Sequence, residues 1–188
     1  DDATAIAELK SVVAGKSVML LAPGASLSEN KEEIIRLAKE NDSVIFGVTF
    51  VPNFIACNYI FLSNLKRYKS TFNPTHKQIN LIHTSNIEVE ENDKIKVNYS
   101  SLLNPDDTIR DNSSLMLLNL LAKLSPAKVM IAGMDGYSID ASNYYLDRLT
   151  MKHDAEHTQM LNEAISRRLN QLCSQLDIEF ITPTLYTK

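Results

Sequence analysis

The chain contains few of the residues that mark a specialised chemistry: its 188 residues include two cysteines, five glycines and no tryptophan. Cys57 and Cys173 stand in no CxxC pair and in no metal-ligand spacing. We therefore expect both to be core thiols, and we predict neither a disulfide nor a metal site.

The chain also has no excess of basic residues. Its formal net charge is −4, and no cluster of Lys and Arg suits the phosphates of a nucleic acid, so nucleic acid is not expected as a partner. No apolar run reaches the about 20 residues that cross a bilayer. The N-terminal letters DDATAIAELK have neither the basic region nor the apolar core of a signal peptide. These absences predict a cytoplasmic protein without a membrane span.

Two glycine-rich phosphate-binding motifs are missing. The letters GKS at 15–17 precede a predicted strand, and Lys10 stands where a P-loop needs its first glycine. The dinucleotide-binding fingerprint needs three glycines, whereas the turn APGASLS at 22–28 has only Gly24. We therefore predict neither a P-loop nor the usual turn for NAD or FAD.

The chain does have a regular alternation of apolar segments and helical patterns. Helices are predicted at 3–13, at 112–125 and at 154–175, and a further helix is predicted to begin after a cap at Ser26 or Ser28. Strands are predicted at 17–22, 43–48, 58–63, 78–84, 94–99, from 127 onward and at 178–183, with 94–99 nearest a sheet edge. Residues 1–188 are thus expected to form a single α/β domain, Rossmann-like and doubly wound, with a mainly parallel sheet and helices on both faces.

In such a sheet, ligands bind beyond the carboxyl ends of the strands, where the strand order reverses. The candidate binding residues therefore follow the predicted strands or open the helices: Pro23, Gly24, Ala25, Ser26, Thr49, Ser63, Asn64, Lys66, Arg67, Ser85, Asn86, Asn112, Ser113, Ser114, Gly133, Asp135 and Tyr137. Two predicted helix starts, at Ser26 and at 112–114, suit a phosphate because their NH groups are unpaired and the helix dipole is positive there. The alternative is that these Ser and Asn residues only cap helices.

Two histidines, His153 and His157, stand four residues apart before and within the last long helix. No metal is expected, because a metal site would need further ligands. Since the pKa of histidine is close to neutrality, one of them can act as a general acid or base, and the sequence leaves open which one. The alternative is a solvent-exposed pair. The segment 138–156 is either a lid over the site or an ordinary surface connection.

Six segments together resemble a known family: LLAPGASLSENKEEI, FLSNLKRY, TSNI, VNYSSLL, DNSSLMLLNLLAKL and VMIAGMDGYS. They look like the Rossmann-like domain that follows a TIM-barrel module in aldolase-like proteins of bacterial surface-polysaccharide gene clusters, labelled 4-hydroxy-2-oxovalerate aldolase or HMG-CoA-lyase-like. The likeness covers residues 5–182 and implies that 1–15 is a linker helix from that module. Aldolase chemistry is not expected in this chain alone, because the barrel of about 250 residues carries it.

A more distant resemblance is to bacterial sialyltransferases that use CMP-sialic acid and to the pterin-diphosphokinase-like family. In the transferases a G-P-S-L turn contacts CMP, a T-S-G segment grips the nucleotide, and a strand ending in S-G-x-D-x-Y follows. The matching residues here are Ser26, Ser113, Ser114, Gly133, Asp135 and Tyr137. The departures are the order APGASL in the first turn, Asn112 and Ser114 in place of Thr and Gly, and Gly136 in the last turn.

Two functions from different classes follow. The first is a nucleotide or nucleotide-sugar binding domain of surface-polysaccharide biosynthesis, extending to a glycosyltransferase that uses a CMP-activated acidic sugar. No cofactor beyond a CMP-type ligand is required, His153 or His157 is the base, and Lys66, Arg67 and Tyr137 are donors to the departing phosphate. The alternative is a non-catalytic ligand-binding or assembly domain of an aldolase, and a homo-oligomer is compatible with both. Histidines and basic residues that face the carboxyl edge of the sheet would favour transfer.

Overall fold

The computed structural model describes residues 2–71, 79–89, 94–139 and 154–186. Its strands are β1 (Ser17–Leu21), β2 (Val44–Val48), β3 (Tyr59–Leu62), β4 (Asn80–Thr84), β5 (Ile95–Val97), β6 (Lys128–Ala132) and β7 (Ile178–Phe180). Every pairing among these strands is parallel, in the order β5-β4-β3-β2-β1-β6-β7. The predicted Rossmann-like α/β class is confirmed, and β5 lies at an edge of the sheet as expected.

The α-helices cover both faces of this sheet. They are α1 (Ala3–Val13), α2 (Lys31–Glu40), α3 (Leu65–Thr71), α4 (Ser113–Leu124) and α5 (Ala155–Leu172), and 3₁₀ helices span Ala25–Glu29, Tyr99–Leu102 and Asp107–Ile109. Strands that are covered on both sides are apolar at nearly every position. Strand β1 shows this, because the four residues from Val18 to Leu21 are fully buried.

Alternate residues of β1 contribute to different cores. Val18 and Leu20 share a cluster with residues of α1, α4 and α5. Met19 and Leu21 pack on the other face with α2 and with Leu27 of the first 3₁₀ helix. Helix α4 is buried almost all round, which explains why its sequence is apolar at most positions instead of along one stripe.

Helix α1 belongs to the core of this domain. Its Leu9 and Val13 are fully buried, and it packs against α4. Just before it, the carboxylate of Asp2 accepts hydrogen bonds from the Asn98 amide (2.8 Å) and from the Ser101 hydroxyl (2.9 Å). Helix α1 therefore packs into this domain, and its role as a linker from an upstream module stays a prediction.

Two sequence-based predictions on individual residues are wrong. Neither Ser26 nor Ser28 caps α2, because both lie within the 3₁₀ helix and α2 begins only at Lys31. Cys173 is exposed, since it falls just after the last turn of α5, on the outer side of the helix. Cys57 is partly buried and packs against the core, where burial raises the pKa of its thiol to about 12.

The predicted cap of α4 is confirmed at Asn112, whose Oδ1 accepts a hydrogen bond from the Leu115 amide at 3.1 Å. Among the described residues, no helix combines the length and the apolar character needed to cross a bilayer.

We expect Leu118→Ala in α4 to destabilise the protein by about 3 kcal/mol, because a fully buried leucine leaves a cavity when it is truncated. Met160→Ala is the matched control, since Met160 also lies on a helix but is 47% exposed. Urea unfolding of both variants measures the difference. Equal losses would contradict the assignment of α4 to the core.

Candidate functional site

The strand order reverses at β1, which pairs with β2 on one side and with β6 on the other. Two turns leave the sheet side by side at this point. The Ala22 amide donates to Ala132 O (2.9 Å), and the Gly24 amide donates to Gly133 O (2.7 Å). The turns after β1 and β6 thus continue the pairing of their strands beyond the edge of the sheet.

Glycine is required in both turns because their backbones touch. A Cβ on Gly24 would overlap Gly133 O and would lie 2.6 Å from Oδ1 of Asp135. A Cβ on Gly133 would overlap Ala22 O, and this residue also has a left-handed φ of 75°. The single glycine of the APGAS turn is therefore explained by the approach of the second turn and of its carboxylate.

Asp135 binds the start of the first 3₁₀ helix. Its Oδ2 accepts from the Ser26 amide at 2.8 Å, and its Oδ1 accepts from the Ser26 hydroxyl at 2.5 Å. Burial raises the pKa of Asp135 above its usual value, and the two hydrogen bonds from Ser26 oppose that rise. One of the two helix starts that the sequence suggests for a phosphate is thus bonded to a carboxylate of the chain itself.

Beyond the two turns lies a cavity of about 370 Å³. Twelve of the sequence-predicted site residues line it: Pro23, Gly24, Thr49, Asn64, Arg67, Asn112, Ser113, Ser114, Gly133, Asp135, Tyr137 and His157. They come from the ends of four strands and from the starts of α3, α4 and α5. The rule that ligand sites form at the carboxyl ends of parallel strands therefore brings most of the predicted residues together.

Three other predicted residues, Ser26, Ser63 and Asn86, form hydrogen bonds behind the cavity wall, and a fourth, Ala25, lies outside the lining. Ser26 holds Asp135, and the buried Ser63 hydroxyl lies 2.7 Å from the Ser113 hydroxyl. The side-chain amide of Asn86 donates to Ser63 O at 3.1 Å. Ala25 follows Gly24 in the first turn but does not line the cavity. The hydrogen bonds of Ser26, Ser63 and Asn86 fix the loops that carry the lining groups.

Two predicted residues lie elsewhere. Lys66 is exposed on α3, next to the cavity-lining Arg67. The Ser85 hydroxyl accepts from the Tyr99 amide at 3.1 Å, between the ends of β4 and β5. His153 and residues 140–152 of the predicted lid segment lie outside the described residues.

The start of α4 has free hydrogen-bond donors on the cavity wall. Asn112 uses its side chain to cap the Leu115 amide. Within the described part of the chain, the amides of Ser113 and Ser114 donate to no acceptor. The Ser114 hydroxyl likewise has no partner there. This wall can therefore bind an anion through backbone NH groups, with the positive end of the α4 dipole behind them.

His157 lines the cavity from the first turn of α5. The Asp154 carboxylate accepts from the His157 amide at 2.8 Å and thereby caps the helix. Tyr137 is tied to the same helix, because its amide and its carbonyl both pair with the Asn162 side chain at 2.9 Å. These bonds set the positions of His157 and Tyr137 relative to the cavity.

Other lining residues were missed from the sequence: Ala22, Thr108, Ile109, Asp111, Met134, Gly136, Leu161 and Tyr186. Asp111 and Gly136 stand inside the segments DNSS and GMDGYS, so their position after a strand or before a helix was a signal that could have identified them. Thr108 and Tyr186 follow no strand directly, and no local pattern signals them. The C-terminal segment reaches the cavity because it is bonded to the β6 turn: Thr184 Oγ1 donates to Met134 O (2.8 Å), and the Leu185 amide donates to Asp135 O (2.7 Å).

No group of three or more His, Cys, Asp or Glu side chains in the described part of the chain is placed to hold a metal ion.

The contact between the two turns predicts a large effect of Gly24→Ala. We expect a loss of about 3 kcal/mol in unfolding free energy, because the added methyl group collides with backbone. In Gly15→Ala the new Cβ meets no atom within 4 Å, so only its φ of 71° opposes the change, by about 1 kcal/mol. Denaturant unfolding of both variants separates steric overlap from backbone strain. A larger loss of unfolding free energy for Gly15→Ala than for Gly24→Ala would contradict the close approach of the two turns.

Burial should raise the pKa of the Asp135 carboxyl group above its usual value in the folded protein. The folded state then binds this proton more tightly than the unfolded chain does. The contribution of Asp135 to stability therefore decreases as the pH rises from the unfolded pKa through the folded one. Ser26→Ala should raise the pKa further, because it removes the hydroxyl that favours the ionised form. Carboxyl ¹³C NMR measures both values, and a lower pKa in the variant would disprove the role of Ser26.

Comparison with protein-family models and with the curated proteins finds no match to this chain.

Proposed function

We propose that the cavity at the β1–β6 reversal binds a nucleotide or nucleotide sugar through a phosphate group. The observation that carries this proposal is the start of α4, where Ser113 and Ser114 line the cavity and their amides have no acceptor among the described residues. Helix N-termini of this kind bind phosphates well, because several NH groups and the helix dipole act on the same anion.

The hydrogen-bond partners favour α4 over the other turn, although the Asp111 carboxylate, just before the Asn112 cap, also lines the cavity. Asp135 already accepts the Ser26 amide and hydroxyl, and a phosphate beside that carboxylate would be repelled. Among the described Lys and Arg residues, Arg67 lines the cavity. The phosphate is therefore assigned to the wall formed by α4 and Arg67, and the earlier expectation of a phosphate at both helix starts is reduced to one.

The cavity volume of about 370 Å³ fits a ligand of this size, because small-molecule sites commonly span 300–1,000 Å³. The family resemblance extends the proposal to surface-polysaccharide biosynthesis and to a CMP-activated sugar as the ligand.

Sugar transfer is the reaction that this arrangement supports. His157 would take the proton of an acceptor hydroxyl while the oxygen attacks the anomeric carbon and the bond to the CMP phosphate breaks. Arg67 and the α4 amides would stabilise the charge on the departing phosphate. His157 and Arg67 both line the cavity, as the transfer hypothesis requires, whereas Lys66 does not.

A thermal-shift screen with CMP, CDP, UDP, GDP and ATP tests binding. A nucleotide present at 100 times its Kd should stabilise the protein by about 2.7 kcal/mol. Arg67→Gln should weaken binding of the active nucleotide about tenfold, whereas Lys66→Gln should leave it unchanged, because only Arg67 reaches the cavity. The absence of a shift with every nucleotide would reject the proposal.

A second pair of variants tests the α4 amides. Ser113→Pro removes one NH group at the first helical position, where proline is tolerated, and Asn112 already has the extended backbone that precedes a proline. Ser113→Ala keeps the NH group and, like the proline variant, loses the hydroxyl contact with Ser63. Binding should fall in the proline variant alone. An equal effect of both changes would assign the contact to the hydroxyl instead.

A further inference from the structure

The cavity is also lined by the Asp135 residue of the β6 turn, which the phosphate does not use. Its carboxylate has a charge opposite to that of Arg67. We propose that Asp135 recognises hydrogen-bond-donating groups of the ligand, namely vicinal sugar hydroxyls, so that the ligand lies with its phosphate at α4 and its hydroxyls at the β6 turn. This inference rests on the proposed function, because it assigns the other end of the same ligand.

Asp135 retains acceptor capacity. An ionised carboxylate has about four lone-pair sites, and Ser26 occupies one on each oxygen. No Lys, Arg or His of the described chain forms an ion pair with Asp135. Asp135 lines the cavity, so we expect a ligand in the cavity to reach the free acceptor sites of its carboxylate.

The carboxylate is held firmly before any ligand arrives. The amide and the hydroxyl of Ser26 each bind one of its oxygens, and the Leu185 amide donates to the Asp135 carbonyl. Gly24 leaves the space that the carboxylate fills. A group fixed in this way loses little freedom when a ligand binds, which strengthens the contact.

Hydroxyl groups fit this environment better than the alternatives. A second phosphate or a sugar carboxylate would be repelled by Asp135. Two adjacent hydroxyls can donate to the two oxygens of one carboxylate, and hydrogen bonds to a charged acceptor are about twice as strong as neutral ones. The raised pKa of the half-buried carboxyl group shows that its ionised form is poorly solvated, so donors from a ligand would stabilise it.

The alternative is that Asp135 only stabilises the turn at Ser26, in which case changing it would affect folding but not ligand choice. The test therefore measures discrimination between CMP and 2′,3′-dideoxy-CMP, which lacks the vicinal hydroxyls, by isothermal titration. The variant is Asp135→Asn, which is uncharged but can still pair with Ser26. The control is Asp177→Asn, which removes an exposed carboxylate away from the cavity.

We expect the wild-type protein to prefer CMP by about tenfold or more, as for hydrogen bonds to a charged group. That preference should fall at least about fivefold in Asp135→Asn and stay unchanged in Asp177→Asn. An unchanged preference in Asp135→Asn overturns the inference, as does equal binding of both ligands to the wild type, while the proposed nucleotide site stands. Failure of the wild type to bind either ligand overturns this inference for CMP, and the site itself is rejected only if the other nucleotides of the thermal-shift screen fail as well.

Discussion

The close approach of the two turns after β1 and β6 is the constraint on which the rest of the site depends. The Gly24 amide donates to Gly133 O, and neither residue can have a side chain without striking the other turn. This contact lets Asp135 reach the Ser26 amide and hydroxyl. It therefore determines the backbone of the turns and the position of the negative charge on the cavity wall.

The position of that charge organises the cavity. Asp135 satisfies the first helix start, whereas the backbone amides at the start of α4 have no acceptor among the described residues, and Arg67 lines the same cavity. The cavity thus has open NH donors at the start of α4 and a carboxylate at the β6 turn, and a ligand that carries both an anion and hydroxyl groups can pair with both. The buried pairing of Ser63 with Ser113 and the bonds between Tyr137 and Asn162 join the cavity walls to the sheet and to α5.

Most of the fold could be predicted from the sequence, because the apolar residues of each buried helix or strand recur at a short, local period. Helix α1 was predicted at 3–13 and spans Ala3–Val13, and the apolar run of β1 reflects cover on both faces. The start of α2 was misplaced, since Ser26 resembles a helix cap in sequence while its hydrogen-bond partner is a distant carboxylate. The exposure of Cys173 was missed because a helical pattern does not say how far the neighbouring layer extends.

The sequence by itself determined the order of the strands along the chain, the helices α1, α2, α4 and α5, and the small polar residues that follow the strands, because apolar periodicity and glycine content are local properties; it did not indicate α3. Only the tertiary structure decided that Asp135 and Ser26, 109 residues apart, share two hydrogen bonds, and that Thr108 and Tyr186 complete the cavity. The physical reason is that these contacts depend on β6 lying beside β1, and strand order is set by the packing of the whole sheet.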